Sequence, residues 1–194
     1  MNSLQVSMNN MVKSTAYHEA GHIVTAVLQK MPLQDGGIHI DLEGSGVAYY
    51  CHRLPGLPDN SEISVDEREK TIVALYSGRI AQFMFLQDID YRDYPDSWKS
   101  DWIIAAKLLD EIFPLSELLT EKYFYLRAQE LIIRYWSFIE NLASELWGKP
   151  ITPLPQSEYE KGWSQGRKKQ EKVVSRSEVQ AFFAKLGISC LLWP

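Results

Sequence analysis

Apolar residues at Ala16, Ala20, Val24, Val27 and Leu28 recur at intervals of three and four along the first part of the chain. That spacing lays one stripe along one side of a helix, so a buried helix is expected from about Asn9 to Lys30. From Gly37 the period falls to two: Ile38, Ile40 and Leu42 alternate with His39, Asp41 and Glu43. Gly44-Ser45-Gly46 then turns the chain into Val47 to Cys51, which predicts a β-hairpin. After a Pro- and Asp-containing loop over Leu54 to Asn60, Ser64 and Glu67 form a capping box ahead of Ile72, Leu75, Ile80 and Phe83. A second helix is predicted there.

Residues Gln87 to Ser100 have no period, and Ile103, Ile104, Ala106, Leu108 and Leu109 resume a helical one. Beyond Pro114, the stripe Phe124, Ala128, Leu131, Tyr135, Phe138, Leu142 and Leu146 predicts one long helix that stops at Gly148 and Pro150. The stretch from about 149 to 174, with Pro153 and Pro155, reads as a linker or lid. Ser175 and Glu178 then cap a last helix that ends near Gly187. The pattern as a whole predicts an α+β domain, mostly helical, spanning 1–194 as one unit.

Composition narrows the function. With 194 residues and 45% apolar content the chain can bury one full core, and a net charge of −5 gives no general attraction to nucleic acid. The basic group Arg167, Lys168, Lys169 and Lys172 has no interleaved aromatic residues on which bases could stack, so it reads as a solvated loop and no nucleic-acid partner is expected. Two cysteines, Cys51 and Cys190, lie far apart without C-x-x-C spacing, which excludes a disulfide framework and a sulfur-ligated zinc site. Without an apolar run of about 18 residues or a signal-peptide layout, a cytoplasmic protein with no membrane span is expected. The apolar tail Ile188, Leu191, Leu192 and Trp193 leaves two readings open, a homo-oligomer interface or folding back on the core.

The string His18-Glu19-Ala20-Gly21-His22 carries the chemistry. Residues four apart on a helix share a face, with Cβ atoms about 5 to 6 Å apart, so two imidazoles can converge on one ion at about 2.0 to 2.1 Å. Glu19 points to one side of the pair, where a carboxylate can act as general base without ligating the ion. Gly21 in a helix interior costs about 1 kcal/mol relative to alanine, which fits close approach of another backbone or of a substrate. Two core histidines satisfied by hydrogen bonds would give the same string without a metal. Thr25 and Leu28 stand where an extended metzincin motif has Gly and His, so the third ligand lies elsewhere, and an acidic residue on a later helix is expected. His39 and His52, on or beside the hairpin, read as surface or supporting residues rather than ligands.

With its flanks the motif reads S-T-A-Y-H-E-A-G-H-I-V-T-A-V, which resembles the protease domain of the FtsH family of ATP-dependent zinc proteases. The alternating strand ending at Gly46 is similar to that family's edge strand beside the active site, and Ala74 to Gln82 (A-L-Y-S-G-R-I-A-Q) resembles its G-R-x-A-E helix. The resemblance implies a zincin-like fold, zinc as cofactor, and Asp101 as third ligand, because Asp101 and Ala105 match the family's aspartate and the alanine four residues on. Asp93 and Asp96 are the alternatives, and an aspartate that only satisfies a helix N-terminus is the plain reading of Asp101. Two positions depart from the family: Gln82 stands where it has Glu, and Asp96-Ser97 replaces its Gly-containing turn. No G-x-x-x-x-G-K-[ST] loop occurs, so ATP dependence does not carry over, and any ATPase would be a separate partner.

The expected function is therefore hydrolysis of peptide bonds in a peptide or unfolded protein, by zinc held on His18, His22 and Asp101 with Glu19 as base. Gly46, Val47, Ala48 and Tyr49 are expected to bind an extended substrate, and Gln82 to support a ligating histidine. Trp98 and Trp102 flank Asp101 and either wall a pocket or pack in the core. The competing reading is a non-catalytic metal-binding or interaction module that keeps the peptidase fold.

Overall fold

The structure is a computed structural model and describes residues 3–42, 44–50, 63–87, 98–113, 117–153 and 170–192. Its elements run α1 (Ser3–Leu28), β1 (Leu33–Asp41), β2 (Gly46–Tyr50), α2 (Val65–Phe85), α3 (Trp98–Ile112), α4 (Glu117–Arg134), α5 (Trp136–Gly148), β3 (Thr152–Pro153), β4 (Gln170–Val174) and α6 (Arg176–Lys185). The protein is mostly helical with a small antiparallel sheet, an α+β arrangement as the sequence predicts. Among the described residues no helix is long and apolar enough to cross a membrane.

The first helix is buried along most of the expected stripe: Ala16, Ala20, Val24 and Val27 are shielded from water, Leu28 is half-buried, and Ile23 joins them in the core. Each large side chain of this kind adds about 1.5 to 3 kcal/mol of hydrophobic stabilisation. The helix begins at Ser3, six residues before the apolar stripe requires it, because extending a helix costs far less than starting one. It ends with Lys30 at φ 59°, where Met31 N–H donates to the Ala26 carbonyl and Lys30 N–H to that of Val27. These two bonds close the last turn as a Schellman motif. The capping box at Ser64 and Glu67 starts α2 as predicted, and Ser175 and Glu178 do the same for α6.

The sheet has the order β2-β1-β4-β3, so β2 lies at an edge. Ile38 pairs with Ala48 on one side and with Val174 on the other. The hairpin is therefore extended by a strand in the stretch predicted as a linker or lid. Thr152–Pro153 and Gln170–Val174 are strands, while 154–169 lie outside the described residues. The short polar β4 is held by its partners: the Lys172 ammonium donates to the carbonyls of Trp147 and Lys149, each at 2.7 Å, at the C-terminal end of α5. Lys172 is thus a helix cap, and Arg167, Lys168 and Lys169 of the same basic group lie outside the described residues.

The predicted long helix is two helices. Tyr135 leaves the helical region at φ −112° and ψ 24°, and the N–H groups of Phe138 and Ile139 both turn back to its carbonyl. The apolar stripe runs through the break, but α4 packs on α2 and α5 packs on α1, and one straight rod cannot serve both. The tail folds back at its backbone: Leu33 N–H donates to the Leu191 carbonyl and Ile188 packs against the core, while the side chains of Leu191 and Leu192 remain exposed. Trp193, Cys51 and His52 lie outside the described residues.

Candidate metal centre

Helices α1, α2 and α3 meet where His18, His22 and Asp101 face one another. The three nearest atoms form a triangle: His18 Nε2 to His22 Nε2 is 3.0 Å, His18 Nε2 to Asp101 Oδ2 is 2.9 Å, and His22 Nε2 to Asp101 Oδ2 is 3.3 Å. Ligands about 2.0 to 2.1 Å from a tetrahedral ion stand about 3.3 Å apart, so the triangle is close to one face of such a centre. The rings cross at 84°, which lets both nitrogens aim at one point rather than stack.

The far side of each ring fixes its proton. His22 Nδ1 is 2.8 Å from the Ala74 carbonyl, which can only accept, so Nδ1 donates and Nε2 is left with its lone pair facing the triangle. His18 Nδ1 donates to Gln82 Oε1 at 3.1 Å, and Gln82 Nε2 turns toward Ser14 Oγ at 3.4 Å. Two nitrogen lone pairs and a carboxylate oxygen within about 3 Å repel each other unless a cation sits among them, so this donor set fits a metal ion. Without metal, a proton takes that role. Burial disfavours charge on His22, but the Asp101 carboxylate outweighs it, with help from Glu19 and Ala74, and the ring is pushed up to about 9. Burial would raise Asp101, yet His22 and His18 hold it well below the usual carboxylate range.

Glu19 stands beside the triangle without joining it. Its side chain is buried at 5% exposure and makes no hydrogen bond or ion pair among the described residues. Burial raises its affinity for a proton, the two imidazoles oppose that rise, and Asp101 adds to it. Asp101 keeps 19% of its side chain exposed, so the centre opens to solvent on the α3 side.

Close approaches hold this geometry. A Cβ on Gly78 would lie 2.4 Å from His22 Nε2, and one on Gly21 would lie 2.7 Å from the Ser77 carbonyl oxygen. The backbone contact expected at Gly21 is thus with α2. At the other rim, a Cβ on Gly46 would lie 2.6 Å from Glu19 Oε1, so β2 starts directly against that carboxylate. Thr15 Oγ1 donates to the Gly44 carbonyl at 2.9 Å and ties the hairpin turn to α1.

The predicted residues divide accordingly. His18, His22 and Asp101 come together, Glu19 lies beside them, and Gln82 supports His18. Asp93 and Asp96 lie outside the described residues. Of the four strand positions, Gly46 touches Glu19 and Ala48 packs toward the core on the same face, whereas the Tyr49 ring lies against Gly36 and His39, 5.3 Å from the latter. His39 is bonded to Glu171 at 2.9 Å and to the Gly36 carbonyl at 2.8 Å, and it supports the sheet. Two further groups take part. Tyr50 follows Gly46 and Ala48 in the alternation and places its ring 6.2 Å from that of His22, where burial and the carboxylates of Asp101 and Glu19 push the phenol up and keep it protonated. The Ala74 carbonyl leaves no mark in a sequence. No protein-family model matches the chain, and no curated protein matches it.

Proposed function

We propose that the chain is a zinc-dependent metallopeptidase of zincin-like fold, with His18, His22 and Asp101 as metal ligands and Glu19 as general base. One observation carries this reading: two Nε2 atoms and one carboxylate oxygen converge within 3.3 Å, with each Nδ1 bonded outward and, alongside, a buried Glu19 that has no hydrogen-bond partner among the described residues. The resemblance of the H-E-A-G-H segment to the FtsH-type protease domain points the same way. When bound, zinc at this centre supplies a Lewis acid that lowers the pKa of a coordinated water toward about 7 and stabilises developing negative charge.

The protein's own residues do the rest. Glu19 accepts a proton from the attacking water and delivers it to the leaving amine, a role suited to a carboxylate whose proton affinity burial has raised. Gln82 and the Ala74 carbonyl hold the imidazoles in one tautomer and orientation. The outer edge of β2 pairs with no strand among the described residues, and it runs from Glu19 at Gly46 to His22 at Tyr50. An extended peptide adding to that edge through its backbone would cross the centre, so cleavage would depend weakly on side-chain sequence.

A second reading, a metal-binding module without activity, draws on Gln82, a neutral acceptor where a carboxylate would raise the basicity of His18. Peptide cleavage by wild type and Glu19→Gln, with and without chelator, separates the two. The peptidase reading expects activity only in metal-loaded wild type; no cleavage of any unfolded substrate by the metal-loaded protein would favour the module.

A further inference from the structure

Below the metal centre, α2, α3 and α4 enclose a cavity of about 240 Å³ that the proposed reaction does not use. Aromatic residues line it: Tyr76 and Trp102 meet at 5.3 Å between ring centroids, and Phe113 is a third. Two carboxylates, Asp110 and Glu121, also line it, and neither has an ion-pair partner among the described residues. Glu121 stands near enough to the Tyr76 hydroxyl to add to the rise that burial causes in the phenol. Among the described residues no basic side chain lines the space. The indole of Trp102 already accepts one cation, the Arg79 guanidinium at 5.1 Å, and Arg79 also opposes the rise at the Tyr76 phenol.

These features select a ligand class. The volume is below the about 300 to 1,000 Å³ of sites for drug-sized molecules, so the occupant is a small group. Carboxylates that have no ion-pair partner among the described residues disfavour phosphates and carboxylates as ligands. Aromatic faces with acidic groups at the rim attract an organic cation, because each ring presents a negative face and an alkyl chain is at home against it. We propose that this cavity is a binding site for an alkylammonium group, carried either by a lysine side chain of a peptide or by a free amine. Asp101 and Trp102 are neighbours on α3, one turned to the metal centre and the other to the cavity. Asp110 lies nine residues further on, about 13 Å along the helix axis. The site is thus separate from the metal centre and does not depend on the peptidase reading.

The test is a titration of the full chain followed by NMR at the Trp102 indole N–H, assigned by its loss in Trp102→Phe. Butylammonium should shift that resonance saturably, while 1-butanol, its neutral counterpart, should bind at least about tenfold more weakly. The variant Asp110→Asn/Glu121→Gln, altered at the exposed Asp110 and the half-buried Glu121, should keep its fold by circular dichroism and lose affinity for the amine by a similar factor. A capped lysine pentapeptide that gives the same shift identifies the side chain as the ligand; a response to butylammonium alone identifies a free amine. No saturable shift, an equal response to 1-butanol, or undiminished affinity in the charge-neutral variant would overturn the proposal.

Discussion

Replacing Gly78 by alanine should separate metal binding from folding. The added Cβ would stand 2.4 Å from His22 Nε2 and 2.5 Å from Cε1. Unbonded heavy atoms rest at about 3.5 Å, so something must yield by about 1 Å. The backbone of α2 is fixed against α1, with Ser77 and Gly78 pressed on Gly21, whereas the imidazole is the free end of a side chain. The ring therefore swings and gives up its 2.8 Å bond to the Ala74 carbonyl. Metal-ligand distances tolerate about 0.2 Å, so a swing of that size removes one ligand. Affinity for zinc should fall at least about a hundredfold, or about 2.7 kcal/mol. Above pH 9, where His22 carries no charge and its pairing with Asp101 adds nothing, folding of the metal-free protein should change by less than about 1 kcal/mol, since the gain of up to about 1 kcal/mol in helix propensity offsets the lost hydrogen bond. Competition against a chromophoric chelator reads the first quantity and urea unfolding the second. Unchanged metal affinity in a folded variant would show that His22 Nε2 is not a ligand; loss of the fold would show that the backbone, not the ring, gives way.

Three further outcomes follow from the same geometry. Gln82→Glu puts a carboxylate on His18 Nδ1 and should tighten zinc binding about tenfold, whereas Gln82→Leu should weaken it about ten- to a hundredfold, both read by chelator competition. In the metal-free protein, His22 is raised from 6.5 to about 9, so the stability it adds is complete below pH 6.5 and is lost as pH rises to 9, a change on the order of 3 kcal/mol. Thermal unfolding across that range should show the decline, and zinc should remove it while releasing about one proton on binding at pH 7. Lys172→Met should lower stability by about 1 to 2 kcal/mol in urea, because two carbonyls at the end of α5 lose their donor, with the metal content unchanged.

How much of this was legible depended on whether the cause was local. His18, Glu19 and His22 could be read together because helical spacing alone sets their relation, and the capping boxes at Ser64 and Ser175 are equally local. Asp101 could not be reached that way: 83 residues separate it from His18, and only the family resemblance singled it out. The Ala74 carbonyl was invisible because every residue has one. Tyr50 is legible as the end of the strand edge, and the alternation from Gly46 through Ala48 puts its ring on the same face as the centre. The break at Tyr135 was hidden by an apolar stripe that continues through it, since what bends the chain there is the need to pack on two different helices. Strand β4 was missed because Gln170, Glu171 and Lys172 are polar, and its place comes from pairing with β1 and from the cap that Lys172 provides.

X-ray absorption of the zinc-loaded protein tests the ligand set most directly. One zinc per chain is expected, with two imidazole nitrogens at about 2.0 to 2.1 Å and oxygen donors completing four-coordination, and with a spectrum that Glu19→Gln leaves unchanged. Fewer than two imidazoles, or a first shell that changes when Glu19 is replaced, would contradict that ligand set.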